Sequence, residues 1–256
     1  YGLYLKYCDG PAYDRNHIIN NFISCHNSST YSYGIYSNSN TYINFYYNSV
    51  NITDGNSSYG NAFYANSGNN ITLQNNIFAN TKTSGGYAIY TNGGSNIIAS
   101  DYNNLYTEGT YLGYYWTGNR TDLSAWQSTS NKDANSVSVD PFFESDTNLH
   151  ANAVACNNTA IPISGITEDI DGEARDASTP DMGADEYYIT PLAGTYTIGG
   201  TNPDYATIAA AVNDLGITSI DGHVYFNIRT GTYYEQVSIE RIWGANESNT
   251  VTFQPE

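Results

Sequence analysis

Four segments of this chain can be laid under one another: GLYLKY, GIYSNS, AFYANS and AIYTNG, carrying Tyr4, Tyr36, Tyr64 and Tyr90. A second set follows at a similar offset, NNFI, YNSV, NNIF and NNLY, whose Asn21, Asn48, Asn76 and Asn104 are spaced by 27, 28 and 28 residues. Between the sets runs an apolar beat, Ile18, Ile43, Ile71 and Ile97. Self-similarity at a period of roughly 20–50 residues is the mark of a stacked architecture, in which each unit buries its apolar face against the next. The units contain short alternating runs with Gly and Asn turns and no helical period, so they predict a coil of parallel strands. Leu3, Ile35, Phe63 and Ile89 then stack inside, and the tyrosines one residue on form a column outside. The Asn set falls at a bend, where each amide bonds the Asn above and below and the residue tolerates left-handed backbone angles.

This pattern explains a composition that is otherwise hard to fold. Hydrophobic residues are 40% of the 256, enough for a narrow core, while charged residues are only 13%, about half the usual share. Amides, hydroxyls, 26 Tyr and 23 Gly fill the difference. The net charge is −17 with eight Lys and Arg, which excludes nucleic acid and anionic membrane surfaces as partners and suits divalent cations or neutral sugars. No apolar run is long enough to span a bilayer, so no membrane insertion is expected.

The repeat loosens after residue 106. Residues 107–150 read as irregular, with DLSAWQ as a single helical turn and SVSVDPFF, 136–143, as a further strand. Residues 151–188 are turn-rich and acidic and close the first domain, 1–188; a linker spans 189–194 and a second module 195–256. In that module Ile208, Ala211, Val212 and Leu215 mark an amphipathic helix near 204–215, opened by Pro203 and Asp204 and closed by Gly216. It serves as the cap of a new coil, with HVYFNIRTGTYYEQVSI and NTVTFQPE as its strands. Both ends of the chain look cut from a longer array, and further copies or modules joined end to end are the expected partners.

With these segments in view, the chain resembles the right-handed parallel β-helix superfamily of pectin lyase-like proteins, an all-β solenoid. GIYSNSNTYINFYYNSV and AIYTNGGSNIIASDYNNLY are similar to generic rungs of that fold. ITEDIDGEARDASTPDMGADEYY resembles the closing segment of large secreted β-helix proteins common in Bacteroidetes-type bacteria, and YATIAAAV, IRTGTYYEQVSI and NTVTF resemble the entry of pectin methylesterases. The resemblance implies export to an extracellular or cell-surface location. It does not imply catalysis. Lyases of this shape need an Arg or Lys base beside calcium, and Lys6, Arg15, Lys82, Arg120 and Lys132 do not align in the repeat. The Asn-Thr-Asp and Gly-His signatures of polygalacturonase-like hydrolases stand on no rung, and the chain ends before methylesterase aspartates would appear.

Other candidate sites follow from residue type. Asp101, Glu108 and Asp122 are the carboxylates available for glycoside cleavage. His17 and His26, near Cys8 and Cys25, lack tight metal spacing. Asp169, Asp171, Glu173, Asp181 and Asp185, with Asp176 and Gly172 among them, suit calcium, with a solvated acidic turn as the alternative. Of three cysteines, Cys8 and Cys25 are close enough in sequence for a disulfide, the alternative being isolated thiols. Sequons for glycosylation stand at Asn27, Asn51, Asn56, Asn70, Asn119, Asn157 and Asn246. The tyrosine column suits carbohydrate binding, packing against a neighbouring module, or simple sheet stabilisation. The expected function is a non-catalytic structural or adhesive module of an extracellular surface protein or fibre; the alternatives are a fragment of a polysaccharide-active lyase, hydrolase or esterase, or a glycan-binding module.

Overall fold

The computed structural model describes residues 1–26, 31–53, 60–82, 85–239 and 241–256. The chain divides into two compact units, Tyr1–Ala151 with Ala155–Tyr187, and Asn152–Val154 with Tyr188–Glu256.

The first unit is a parallel β-solenoid built from three sheets. The first sheet holds β1 (Leu3–Lys6), β4 (Ser32–Asn38), β7 (Gly60–Ala65), β10 (Tyr87–Thr91) and β13 (Gly113–Tyr115), closed by the antiparallel β14 (Gly118–Arg120). The second holds β2 (Asn16–Ile19), β5 (Asn40–Tyr46), β8 (Gly68–Gln74) and β11 (Ile97–Asp101). The third holds β3 (Phe22–Cys25), β6 (Ser49–Ile52), β9 (Ile77–Asn80) and β12 (Asn104–Thr107). Each circuit of the chain thus gives one strand to each sheet.

The inward side chains stack in files. Leu3, Ile35, Phe63 and Ile89 are register partners in the first sheet, as the repeat predicts. Ile23, Val50, Phe78 and Leu105 form the file of the third sheet. Ile43, Ile71 and Ile97 lie over one another in the second. Ile18 does not join them: its partner is Phe45, and Asn16 faces Ile43. The apolar beat slips there because Ile18 and Ile43 are 25 residues apart, two fewer than the 27 by which the strands pair. Phe45, Phe63 and Phe78 interlock at the centre with centroids 5.0 and 5.2 Å apart. All three are fully buried, and each such ring contributes on the order of 1.5–3 kcal/mol.

The open end of this core is covered by the segment after β13. Helix α1 (Leu123–Ser130) is two turns long where the sequence suggested one, started by Asp122, whose side chain accepts the Ala125 N–H at 2.8 Å. It lays the fully buried Trp126 against Gly113, where a Cβ would come within 2.9 Å of the indole. The run 136–143 is not a strand: it makes one bridge, Asn104 with Val137, before Pro141 removes a donor.

In the second unit β15 (Leu192–Ile198), β16 (Ile220–Ile228) and β17 (Val251–Pro255) form a parallel sheet in that order. β15 begins inside the expected linker. Helix α2 (Ile208–Ile217) starts later than predicted. Thr207 caps it, its hydroxyl accepting the Ala210 N–H at 3.0 Å, while Asp204 turns back to accept from Thr197 N and Oγ1, each at 2.7 Å. Gly216 lies within the helix, and Ala211, Val212 and Leu215 form its buried face.

Candidate functional site

The outward face of the first sheet carries the most extended chemical feature of the molecule. Tyr4, Tyr36, Tyr64, Tyr90 and Tyr114 are register partners on successive strands. Their ring centroids are 5.2, 4.8, 4.6 and 4.4 Å apart, and the last three pairs are stacked within 16° of parallel. These distances match the spacing of strands across a sheet, so the column is a direct product of in-register parallel pairing. Tyr114, the fifth ring, escapes the sequence comparison because it follows Tyr90 by 24 residues, less than any earlier interval. A second file flanks the column. Tyr33 meets Tyr36 edge-on at 5.0 Å and Tyr1 in a stack at 5.3 Å, while Tyr87 meets Tyr90 at 5.4 Å.

On the other flank runs a chain of carboxamides. Asn66 donates to Asn38 Oδ1 at 3.1 Å and Asn92 to Asn66 Oδ1 at 2.7 Å. Asn92 also donates to the Tyr64 hydroxyl at 2.9 Å. Burial among one another, and then the proximity of neighbouring phenols, pushes the Tyr33 and Tyr90 hydroxyls up to about 12. These two hydroxyls are therefore uncharged through the physiological range.

The internal Asn ladder is present with one correction. Asn21 donates to Asn48 Oδ1 at 2.8 Å, Asn48 to Asn76 Oδ1 at 2.9 Å, and Asn76 to Asn103 Oδ1 at 3.0 Å. The fourth member is Asn103, not Asn104. This circuit takes 27 residues in register, so the partner of Asn76 falls on Asn103; a register shift between Ile97 and Ala99 within it leaves Ile98 half exposed. Asn104 instead exchanges bonds with Val139. The left-handed residues at this bend are those before the ladder, Asn20, Tyr47, Asn75 and Tyr102, with φ between 52° and 60°. The ladder ends on Asp133, which accepts from Asn103 Nδ2, Ser100, Ser136 and the Trp126 indole at 2.7–3.0 Å.

The acidic closing segment does not gather its carboxylates into one site. Asp169 accepts the backbone N–H groups of Asp171, Glu173 and Glu186. Asp181 accepts those of Asn158 and Tyr187, and burial raises it to about 7 despite them. Both shape the backbone. Arg175 is buried over the Tyr47 ring at 4.0 Å, paired with Glu186, and bonded to Asn20, Gly183 and Ala184, which pins the segment to the coil. Glu173 is exposed. Asp171 and Asp185 converge instead on His150, a residue with no marker in the sequence.

The remaining candidates are dispersed. Asp101 accepts from Asn135, and Asp122 is a helix cap. Arg15 holds Asn44, Asn70 and Thr72, and Arg120 holds Asn119 and Tyr115 carbonyls. His17 lies beside Tyr46 and His26 beside Ser24. Cys8 and Cys25 are free thiols: Cys25 turns inward toward Gly2 and the Tyr33 carbonyl, Cys8 toward the Lys6 carbonyl. Cys156 is buried. Among the sequons, Asn119 and Asn246 are exposed, Asn70 and Asn157 half-buried, and Asn51 buried with its carbonyl taken by Thr81; Asn27 and Asn56 lie outside the described residues.

The class that the fold defines is the parallel β-solenoid. Comparison with protein-family models, with curated proteins and with solved structures found no match in any of the three.

Proposed function

We propose that the chain is a non-catalytic structural and adhesive module of an extracellular surface protein of the pectin lyase-like β-helix kind, and that its tyrosine face is the adhesive surface. The observation that carries this is the five-ring column, four of whose members are stacked at 4.4–4.8 Å beside a chain of side-chain amides. The stacked phenols present a continuous strip of ring edges with polar tips. Carboxamides supply both donors and acceptors within reach of hydroxyls. Together they suit a neutral glycan lying along the coil axis, and the net charge of −17 disfavours polyanions. The ladders of backbone and Asn bonds stiffen the module that carries the face.

The test is retention of tag-free protein on insoluble neutral polysaccharides such as cellulose, chitin and β-glucan. Wild type is retained, and the triple variant Y36S/Y64S/Y90S, with unchanged far-UV circular dichroism, is retained at least tenfold less. Equal retention of the two, or no retention of wild type, refutes the adhesive role. Release of new sugar ends from the polysaccharide refutes the non-catalytic one.

A further inference from the structure

His150, Asp171 and Asp185 bring one ligand atom each to within 4.8 Å of one another, the grouping of metal-ligating side chains that stands out among the described residues. His150 Nε2 is 2.8 Å from Asp171 Oδ2 and 4.0 Å from Asp185 Oδ1. We propose that these three side chains bind a divalent transition metal ion of the zinc class, which staples the 144–150 loop to the acidic closing segment. The proposal stands independently of the adhesive role.

Two observations point to a cation rather than to an ordinary ion pair. First, Asp185 has a side chain only 8% exposed, yet among the described residues its carboxylate takes no hydrogen bond; the imidazole stands 4.0 Å away, and its other charged neighbours, Asp169, Asp171 and Glu173, are carboxylates too. A buried carboxylate without donors is costly unless something positive completes it. Asp169 and Asp181, buried in the same segment, each collect backbone N–H groups; Asp185 is the exception, and it is aimed at the imidazole. Second, the orientation of the His150 ring is set from behind. Asn148 Nδ2 donates to Glu144 Oε2 at 2.6 Å, which turns its Oδ1 toward His150 Nδ1. Nδ1 therefore donates to Asn148 Oδ1, and Nε2, which donates to Asp171 Oδ2 while no metal is bound, is aimed at both carboxylates. A relay of this kind orients histidine ligands at metal centres. The Phe22 ring packs edge-on against the imidazole at 4.9 Å and holds its plane.

The donor set selects the metal. One imidazole and two carboxylates suit zinc and its neighbours, whereas calcium takes oxygen ligands only. Ligand bonds of about 2.0–2.2 Å in a tetrahedron set donor atoms about 3.3 Å apart, and the observed 2.8 and 4.0 Å bracket that value. Asp171 is half exposed, which leaves a side open for entry and for a water ligand. On binding, any proton held on Nε2 leaves to buffer as the metal takes its place, so affinity rises with pH.

The full 256-residue chain, tag-free and stripped with a chelator, is titrated with Zn2+ by calorimetry in two buffers of different ionisation enthalpy, and with Co2+ by visible absorption. Expected are one ion per chain, proton release below neutral pH, and cobalt d–d bands that Zn2+ removes and millimolar Ca2+ does not. H150Q and D185N weaken binding more than tenfold, and H223Q leaves it unchanged. D171N, altering a half-exposed side chain, carries the test if D185N does not fold. Absence of saturable binding, equal binding by H150Q and D171N, or displacement of Co2+ by Ca2+ overturns the proposal.

Discussion

Replacing Asn76 by alanine removes the centre of the internal ladder, and the structure sets the size of the loss. The Asn76 side chain is fully buried and makes five hydrogen bonds. Its Oδ1 accepts the backbone N–H of Asn48 at 3.0 Å and Asn48 Nδ2 at 2.9 Å, and its Nδ2 donates to Phe45 O, Gln74 O and Asn103 Oδ1 at 2.9–3.0 Å. Several partners keep another bond: Gln74 O still accepts from Tyr47 N, Asn103 Oδ1 from the residue 76 backbone N–H, and Asn48 Nδ2 still donates to Ile18 O and Tyr46 O. The Asn48 backbone N–H does not, and a stranded buried donor costs about 1–3 kcal/mol, with about 1 kcal/mol for each of the weakened neighbours. N76A should therefore lose about 3–5 kcal/mol. N21A, at the ladder's end and half-buried, gives up two bonds, to Ile19 O and Asn48 Oδ1, and should lose about 1 kcal/mol. Urea unfolding followed by Trp126 fluorescence separates the two: with a slope of about 2 kcal/mol/M, the N76A midpoint falls by about 2 M and the N21A midpoint by about 0.5 M. Equal midpoints for the two variants would refute the claim that the amides act as a continuous buried ladder.

Three further outcomes follow from the same geometry. D133N replaces an acceptor of four hydrogen bonds with a group that must donate at one of its two positions; it should destabilise by about 2–4 kcal/mol and shift Trp126 emission to the red, and an unchanged spectrum contradicts the capping role. Burial raises the Tyr33 and Tyr90 pKa from 10.0 to about 12. The folded state thus holds more protons than the unfolded state between those values, so this contribution is complete below pH 10 and lost as pH rises through 12; absorbance titration at 295 nm should show a late tyrosinate step in native wild type that Y33F/Y90F diminishes. Denatured, unreduced protein should titrate three thiols with a thiol-specific disulfide reagent; native protein should withhold Cys156, whose buried thiol is raised far above its ordinary range, and a single thiol in denaturant would restore the Cys8–Cys25 bridge.

What was legible in the sequence tracks how strictly each residue obeys the circuit. Ile43, Ile71 and Ile97, and the tyrosines from Tyr4 to Tyr90, recur because each circuit must place the same side chain at the same point of the sheet. Asn103 and Asn104 form a doublet that spacing alone does not resolve, and it is strand pairing, Asn104 opposite Ile77, that puts Asn103 in register with Asn76. Ile18 failed similarly, being aligned by type where pairing puts it on Phe45. The acidic segment misled by composition: Asp169 and Asp181 share the charge of Asp171 and Asp185 but serve backbone N–H groups. His150 left no trace, since its partners lie 21 and 35 residues further along a segment without periodicity. Folding, not spacing, brings them together.

The most direct test of in-register winding is native-state hydrogen exchange read residue by residue on the intact chain. The slowest amides should recur at intervals of 27 and 28 residues, with Asn48 and Asn76 N–H among them, because buried side-chain acceptors hold these groups as well as the strands do. Protection without that recurrence, or rapid exchange at Asn48 and Asn76, would contradict the stacked coil on which the tyrosine face depends.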